Sequence, residues 1–401
     1  MSSNKGAGLQ PVHVLEVVGN AIVGGMENYV QNLVQMLPSY GFKVTCLAPY
    51  ESAYTAQLRR LGCEVFVTDM NVDVPWRSLQ FATELVRQQR VDLLHAHLSR
   101  AHILAGLVGQ LSGRPVAATF HGMEFNIEEL GISQMTGTHM ITVCQKAYLQ
   151  GLGLGIAPER VSLIPNGVNS KDFTPSRDGL EWRQKHTIPL DAPLVGFAGR
   201  LAFEKGPDLF VHMANSLHRQ LPQVHFVLVG EGPMETDVKR LTAEYGLEHV
   251  IHLAGLNHHM REVYPAFDVQ VMTSRYEGMP FALLEGMSCG VPSAALAVGG
   301  VSEIIEVGTT GITAAPDDWN GLANGVAALL RDPRQLKKMG AAARKRVEQN
   351  FDLNDSVLRI SNLFRKLVEV DSAEKTVEPN WVLPRQEAVP LPVKSSLGKS
   401  Q

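Results

Sequence analysis

The feature that most constrains this chain is a unit that recurs along it: a short apolar, β-rich run, a turn containing glycine, and an amphipathic helix. The first copy is Val12–Val18 (VHVLEVV), then Gly19-Asn20 and Gly24-Gly25, then a helix expected from about Glu27 to Leu37. Strands follow over 42–48, 63–68, 91–95, 114–121, 140–143 and 161–164, with helices expected between most of them, at 54–61, 76–89 and 101–111. Parallel strands need a crossover between them, so this alternation implies an α/β domain with a parallel sheet and helices on both faces. Binding sites in such sheets lie beyond the carboxyl ends of the strands. The first glycine turn does not have the G-x-G-x-x-G spacing, so a dinucleotide fingerprint is not supported.

Between Phe173 and Leu190 the pattern lapses, with Pro175, Pro189 and Pro193 marking the break, and at Leu194 it restarts. A chain of 401 residues is too long for one core in most architectures. We therefore expect a first domain over 1–172, a second over 173–353, a terminal helix over 354–371 packing back on the first domain, and a disordered tail over 372–401 containing Pro379, Pro384, Pro390 and Pro392.

Composition excludes several classes. The net charge is −4 with 36 Lys and Arg against 40 Asp and Glu, which gives no basic face for nucleic acid. Cys46, Cys63, Cys144 and Cys289 form no C-x-x-C pair, so neither a zinc site nor a disulfide framework is indicated and reduced core thiols are expected. Met1–Gln10 is polar and lacks the apolar core of a signal peptide, and no run has the length to span a bilayer. A cytoplasmic protein is expected. The apolar Ala101–Val108 segment leaves room for a peripheral contact with the inner membrane face, although a buried helix explains it more simply.

Candidate site residues stand at strand ends. Asp92-Leu93-Leu94-His95-Ala96-His97 carries two histidines without a third ligand spaced nearby, so structural hydrogen bonding is favoured over a metal. His121, followed by Gly122, ends the next strand and is expected to face a cleft. In the second half, Gly199-Arg200-Leu201-Ala202-Phe203-Glu204-Lys205-Gly206 carries two cations that a loop can fold toward one diphosphate. Gly230 and Gly232 would bring backbone near a ligand.

The densest stretch is Ser274 to Pro292. It reads as a strand (Val269–Met272), a tight turn with Glu277 and Gly278, and a helix with Pro280 at its first position. The free N–H groups of Phe281, Ala282 and Leu283 would attract an anion, and Glu285 lies close enough to reach a hydroxyl-rich group above that helix end. Two carboxylates and a set of amides in this order suit a nucleotide sugar.

Taken together, Gly199-Arg200-Leu201, Glu204-Lys205-Gly206, Val229-Gly230-Glu231-Gly232-Pro233, and Glu277 with seven residues before Glu285 make the chain, from about Val12 to Val370, resemble the retaining GT-B glycosyltransferases of family 4. The resemblance implies two Rossmann-like parallel-sheet domains facing a central cleft and transfer of a hexosyl unit from a nucleotide-diphosphate sugar, such as a UDP-sugar, to a hydroxyl acceptor. It implies that Arg200 and Lys205 neutralise the donor diphosphate, with Gly25 reaching the same phosphates from across the cleft. Glu285 would take the ribose hydroxyls, Glu277 and Gly278 would lie by the transferred sugar, and the amides of Met279, Phe281 and Ala282 would hold sugar hydroxyls and phosphate. His121 would line the opposite wall and share the catalytic role with Glu277, Arg200 and Lys205. No metal and no cofactor are expected, because no Asp-x-Asp motif is present and two cations with a helix terminus can stabilise the leaving group. Two departures from the family pattern stand out: Asn169 replaces an Asp after Asn-Gly-Val, and Gly286 follows the second Glu, where a glycine inside a helix points to close packing. The competing readings are a nucleotide-sugar 2-epimerase on the same scaffold and a catalytically silent sugar-nucleotide binder. Donor base, acceptor and oligomeric state are not legible.

Overall fold

Thirteen strands are present in the computed structural model, which describes residues 11–22, 24–70, 75–176 and 178–376. Seven form the first sheet: β1 (Val12–Val18), β2 (Phe42–Ala48), β3 (Glu64–Val67), β4 (Leu93–His97), β5 (Val116–Phe120), β6 (His139–Thr142) and β7 (Val161–Leu163). Six form the second: β8 (Leu194–Ala198), β9 (His225–Val229), β10 (Ile251–Gly255), β11 (Val269–Met272), β12 (Ser293–Leu296) and β13 (Gly311–Ala314). The spatial orders are β3-β2-β1-β4-β5-β6-β7 and β10-β9-β8-β11-β12-β13, so both sheets follow one doubly wound plan. All pairings named between these strands are parallel. Strand order reverses between β1 and β4, and again between β8 and β11. Such switch points are where open α/β sheets form their crevices, so the loops leaving those strands are candidates to border the cleft.

The strands read as near-continuous apolar runs because both of their faces are covered by helices. One face of the first sheet packs under the Gly25–Met36 and Ala53–Arg60 helices, through Val14, Val18, Cys46, Tyr29, Leu33 and Leu58. The same cluster contains Val357, Ile360 and Phe364 from the terminal helix, Leu353–Thr376. Phe364 lies edge-on to Phe42 and to His95, and the Arg365 guanidinium donates to the Tyr40 carbonyl. This helix therefore belongs to the core of the first domain although it follows the second domain in sequence. It also runs five residues beyond the expected end at 371. Residues 377–401, where the disordered tail was expected, lie outside the described residues.

Two chain segments cross between the domains and run side by side. Val168 N–H donates to the Phe351 carbonyl at 2.9 Å, and Leu353 N–H donates to the Val168 carbonyl at 3.2 Å. Gly167 permits this approach, since a Cβ there would stand 2.6 Å from the Leu353 Cα. The four cysteines are buried and unpaired. No helix among the described residues is long and apolar enough to cross a membrane.

Candidate active site

The second domain supplies one wall of the cleft, built on the loops after β8 and β11. Lys205 ends a short turn, Phe203–Lys205, that leads through Gly206 (φ 61°) into the Pro207–Gln220 helix. Gly206 cannot be replaced cheaply, because a Cβ would meet the Thr273 carbonyl at 2.2 Å, and this approach draws the Lys205 loop against the end of β11. Lys205 Nζ donates to Glu277 Oε1 at 2.6 Å, and Ser274 Oγ donates to the same oxygen at 2.7 Å. Glu277 is buried, yet Oε2 has no hydrogen-bond partner among the described residues. The carboxylate is thus anchored through one oxygen, with the other available. Arg200 is largely exposed and pairs with Glu204.

Glu285 lies one turn further along the Phe281–Ser288 helix and accepts from the Tyr264 hydroxyl at 2.7 Å. Burial pushes its carboxyl up to about 7, a rise that the Tyr264 hydrogen bond only partly opposes. Gly286 beside it lets the Gln270 side chain pack against the helix, since a Cβ would meet Gln270 Oε1 at 1.8 Å, and Gln270 Nε2 donates to the Ala282 carbonyl at 2.7 Å. Pro280 occupies the N-cap with ψ 120°, not the first helical position expected from its fixed φ. The extended ψ carries the chain straight back into the cleft, where the Met279 carbonyl accepts from Asn166 Nδ2 of the first domain at 2.7 Å. No side chain caps this helix, so its first N–H groups stay open to an anion.

From the first domain, the Gly25–Met36 helix starts two residues earlier than the sequence suggests, at Gly25 itself, also without a side-chain cap. Only 3.8 Å would separate a Cβ on Gly25 from the Phe281 ring. Two uncapped helix N-termini thus approach each other across the cleft, with Arg200 beside them. Glu27, in the first turn, is buried and its carboxyl is pushed up to about 7 by that burial, with Arg200 pulling it partly back.

Some glycines approach other parts of the protein. At Gly230 (φ 140°) a Cβ would meet the Gly199 carbonyl at 2.0 Å, and at Gly232 the Leu201 carbonyl at 2.4 Å, so both fit the turn after β9 against the Arg200 loop. At Gly278 a Cβ would meet the His121 carbonyl at 2.0 Å. This glycine is what allows the Glu277 loop to touch the opposite domain.

His121 stands just past β5, half-buried, with its imidazole neutral at pH 7. Burial, and then the repulsion a protonated His121 would meet from its neighbours His97 and His95 when they carry a proton, hold it well below the ordinary histidine range. Its Nε2 lies 3.0 Å from His97 Nδ1, and His97 Nε2 lies 2.8 Å from Glu16 Oε2. β4 extends two residues past its expected end, so His95 and His97 share one face of the sheet, and the parallel register sets Glu16 opposite His95. His95 Nδ1 lies 2.8 Å from the same Glu16 oxygen, and its Nε2 is 2.7 Å from Thr119 Oγ1. Glu16, His95 and His97 are fully buried and bring three potential ligand atoms within 4.8 Å of one another, a third group that spacing along the chain did not reveal. The 2.8 Å separations are hydrogen-bond lengths, shorter than the about 3.3 Å between donors sharing a tetrahedral ion at 2.0–2.1 Å. The signal for Glu16 in sequence was a single carboxylate inside the apolar run VHVLEVV.

Comparison with known proteins agrees with this architecture. Residues 23–172 match the family described as Glycosyltransferase Family 4, and residues 178–346 match Glycosyl transferases group 1. The chain is 22% identical over 368 residues to the Escherichia coli UDP-Gal:alpha-D-GlcNAc-diphosphoundecaprenol alpha-1,3-galactosyltransferase, covering 86% of this chain and 95% of that protein. It is 25% identical to the D-inositol 3-phosphate glycosyltransferase of Thermobispora bispora, over 88% and 92% of the two chains. Among solved structures, the Anabaena protein Alr3699/HepE in complex with UDP-glucose superposes with a TM-score of 0.80 at 20% identity, covering 88% of this chain and 99% of that one. With matches to both halves and to the whole length of such enzymes, the chain belongs to the family 4 glycosyltransferases of GT-B fold and is a nucleotide-sugar-dependent hexosyltransferase.

Proposed function

We propose that the protein transfers a hexosyl unit from a UDP-sugar to a hydroxyl acceptor on a glycan, lipid or small molecule, with retention of anomeric configuration and without a metal. The observation that carries this reading is the Lys205–Glu277 pair beside an uncapped helix start, facing a second uncapped helix start at Gly25. Departure of the nucleoside diphosphate builds negative charge on the phosphates and positive charge at the anomeric carbon. Arg200, Lys205 and the amides of Phe281 and Ala282 stabilise the first, and the Glu277 carboxylate the second. Glu285 positions the ribose, and His121 lines the acceptor side. UDP is chosen because the galactosyltransferase relative and the HepE complex both carry it in their descriptions.

Glu277 also bears on the route. Its charge is partly neutralised by Lys205 and Ser274, which makes it a weak nucleophile and favours attack by the acceptor from the leaving-group face, with the departing phosphate taking the proton. The test is a thermal-shift panel of UDP, GDP, ADP and dTDP sugars followed by an acceptor assay, since a ligand of the folded state raises the melting temperature. Stabilisation by UDP-sugars with product of retained configuration is expected. A new epimeric sugar nucleotide formed without acceptor would overturn the reading.

A further inference from the structure

The buried carboxylate Glu16 is the least explained group in the first domain. It occupies the middle of an apolar strand with no solvent exposure, and its Oε1 has no hydrogen-bond partner. Leaving a buried polar atom unpaired is costly, and a valine would fill the position in a parallel strand without that cost. What Glu16 does make is a chain of contacts ending at the cleft: Oε2 to His97 Nε2 at 2.8 Å, then His97 Nδ1 to His121 Nε2 at 3.0 Å.

The protons in this chain follow from its first member. His95 beside it at 2.8 Å and the hydrogen bond from His97 outweigh burial and hold the Glu16 carboxyl down to about 2, so it is ionised and can only accept. His97 must then carry its proton on Nε2. Burial, with the charge of His95, lowers His97 to about 4, so it is neutral at pH 7 and its Nδ1 is a bare lone pair. A bare Nδ1 can face His121 Nε2 only if that nitrogen carries a proton. His121 is neutral too, which leaves its own Nδ1 bare. That nitrogen has no hydrogen-bond partner among the described residues and is not an enclosed orphan atom. The Tyr29 ring, edge-on to His97 at 5.6 Å and to His121 at 5.0 Å, fixes the ring planes. Tyr29 OH lies 3.3 Å from Thr119 Oγ1, which contacts His95.

We propose that Glu16 is a positioning residue that, acting through His97, locks His121 in the Nε2–H tautomer and so presents a hydrogen-bond acceptor, Nδ1, to a hydroxyl in the cleft. The inference rests on His121 facing the reacting groups. A hydroxyl of sugar or acceptor is an O–H donor, and the opposite tautomer would meet it with an N–H. The polarity of the site on this wall is thereby set about two strand widths away, inside the sheet. A metal at Glu16, His95 and His97 would reverse everything: it would take the His97 Nε2 lone pair, move the His97 proton to Nδ1 and turn His121 into the Nδ1–H form.

The test reads the tautomer directly. The full chain is labelled with ¹⁵N-histidine, and long-range ¹⁵N–¹H correlation spectra are recorded near pH 7.5 without substrate, with His97→Asn and His121→Asn to assign signals among the 14 histidines. The expected result is Nε2–H with unprotonated Nδ1 at both His97 and His121, unchanged by zinc or by a chelator. An Nδ1–H form of His121, or inversion on adding zinc, would overturn the proposal. Glu16→Gln can present either an amide N–H or an oxygen to His97, so mixed tautomers at His121 and a fall in kcat of about tenfold or more with little change in donor KM are expected. A Glu16→Gln enzyme with one tautomer and full kcat would also overturn it. Because the spectra need no turnover, an inactive His121 assignment would show separately, as a His121→Asn enzyme that retains its rate while the tautomers remain as expected.

Discussion

In the first sheet the ionisable groups lie inside the strands: His13 and Glu16 on β1, His95 and His97 on β4, and His139 on β6, all buried. In the second sheet the only ionisable strand residues among those described are the partly buried His225 on β9 and His252 on β10, and Arg200, Lys205, Ser274 and Glu277 are carried on loops. One strand order thus yields two different walls. Groups on strands are held by sheet hydrogen bonds and by packing on both faces, so their geometry is set before any ligand arrives. Groups on loops can regroup more readily: Lys205 is paired with Glu277, and the largely exposed Arg200 with Glu204. The division suits a donor that must be gripped and released on one side and an acceptor hydroxyl that must be aligned on the other.

The largest effect should come from the loop wall. Lys205→Ala removes a cation from the leaving group, and a loss of about 10²–10³ in kcat is expected by initial-rate assay. Glu277→Ala should be as severe, and near-native turnover in either variant would remove the second-domain wall from the comparison. Next is Gly278→Ala. Its Cβ would have to share space with the His121 carbonyl, so the domains should be held apart while each remains folded. A displacement of about 1 Å can cost about 10²-fold in rate, and small-angle scattering should show a more open particle with little change in melting temperature. Full activity in this variant would mean that the contact across the cleft is dispensable.

A smaller effect separates the walls by pH. Burial pushes the Glu285 carboxyl up to about 7, and in the ribose-positioning role proposed for it the ionised form is the one that can accept from two hydroxyls. Donor affinity should therefore rise as pH rises toward about 7 and level off above it, by up to tenfold per unit on the acid side. Glu285→Gln should bind more weakly and without this slope, which calorimetry can read. A last effect, on stability and not on turnover, belongs to the first domain. His97, His102 and His139 are lowered to about 4 by burial, so between the unfolded value of 6.5 and about 4 the unfolded chain binds protons that the folded one refuses. Stability is therefore lost as pH falls through that window, by about 1.4 kcal/mol per unit for each histidine. Glu27 acts in the opposite sense, because its raised carboxyl keeps a proton from about 4.5 to 7 that the unfolded chain releases, and it offsets part of the loss. Hydrogen exchange at pH 7 and pH 5 should show first-domain strands losing protection faster than second-domain strands, and equal loss would erase the distinction.

Much of this was legible before any coordinates, and what was not has a common cause. Strand and helix alternation, the break after Phe173 and the Glu277 to Glu285 spacing are local patterns, and a sequence states them directly. The chain from Glu16 through His97 to His121 joins residues 81 and 24 positions apart through strand register, which no local pattern encodes. Glycine gave only half of what it marks. Gly230, Gly232 and Gly278 do mark close approach, but the groups they approach are the carbonyls of Gly199, Leu201 and His121, because the missing Cβ tells that something comes near without telling what. Helix boundaries shifted where tertiary contacts overrode local preference, as at Pro280 and Gly25.

The terminal helix has a consequence for how the molecule comes into being. Val357, Ile360 and Phe364 complete a core whose other members are made before residue 165, yet the whole second domain is translated in between. At about 5–20 residues per second, the first domain waits on the order of 10–40 s after its own strands are made before its last helix emerges. A ribosome-bound first domain therefore exposes the groove beside Phe42 and His95 for that interval, and a chain cut between the domains exposes it permanently. Maturation of the amino-terminal half is in this sense the last event of synthesis.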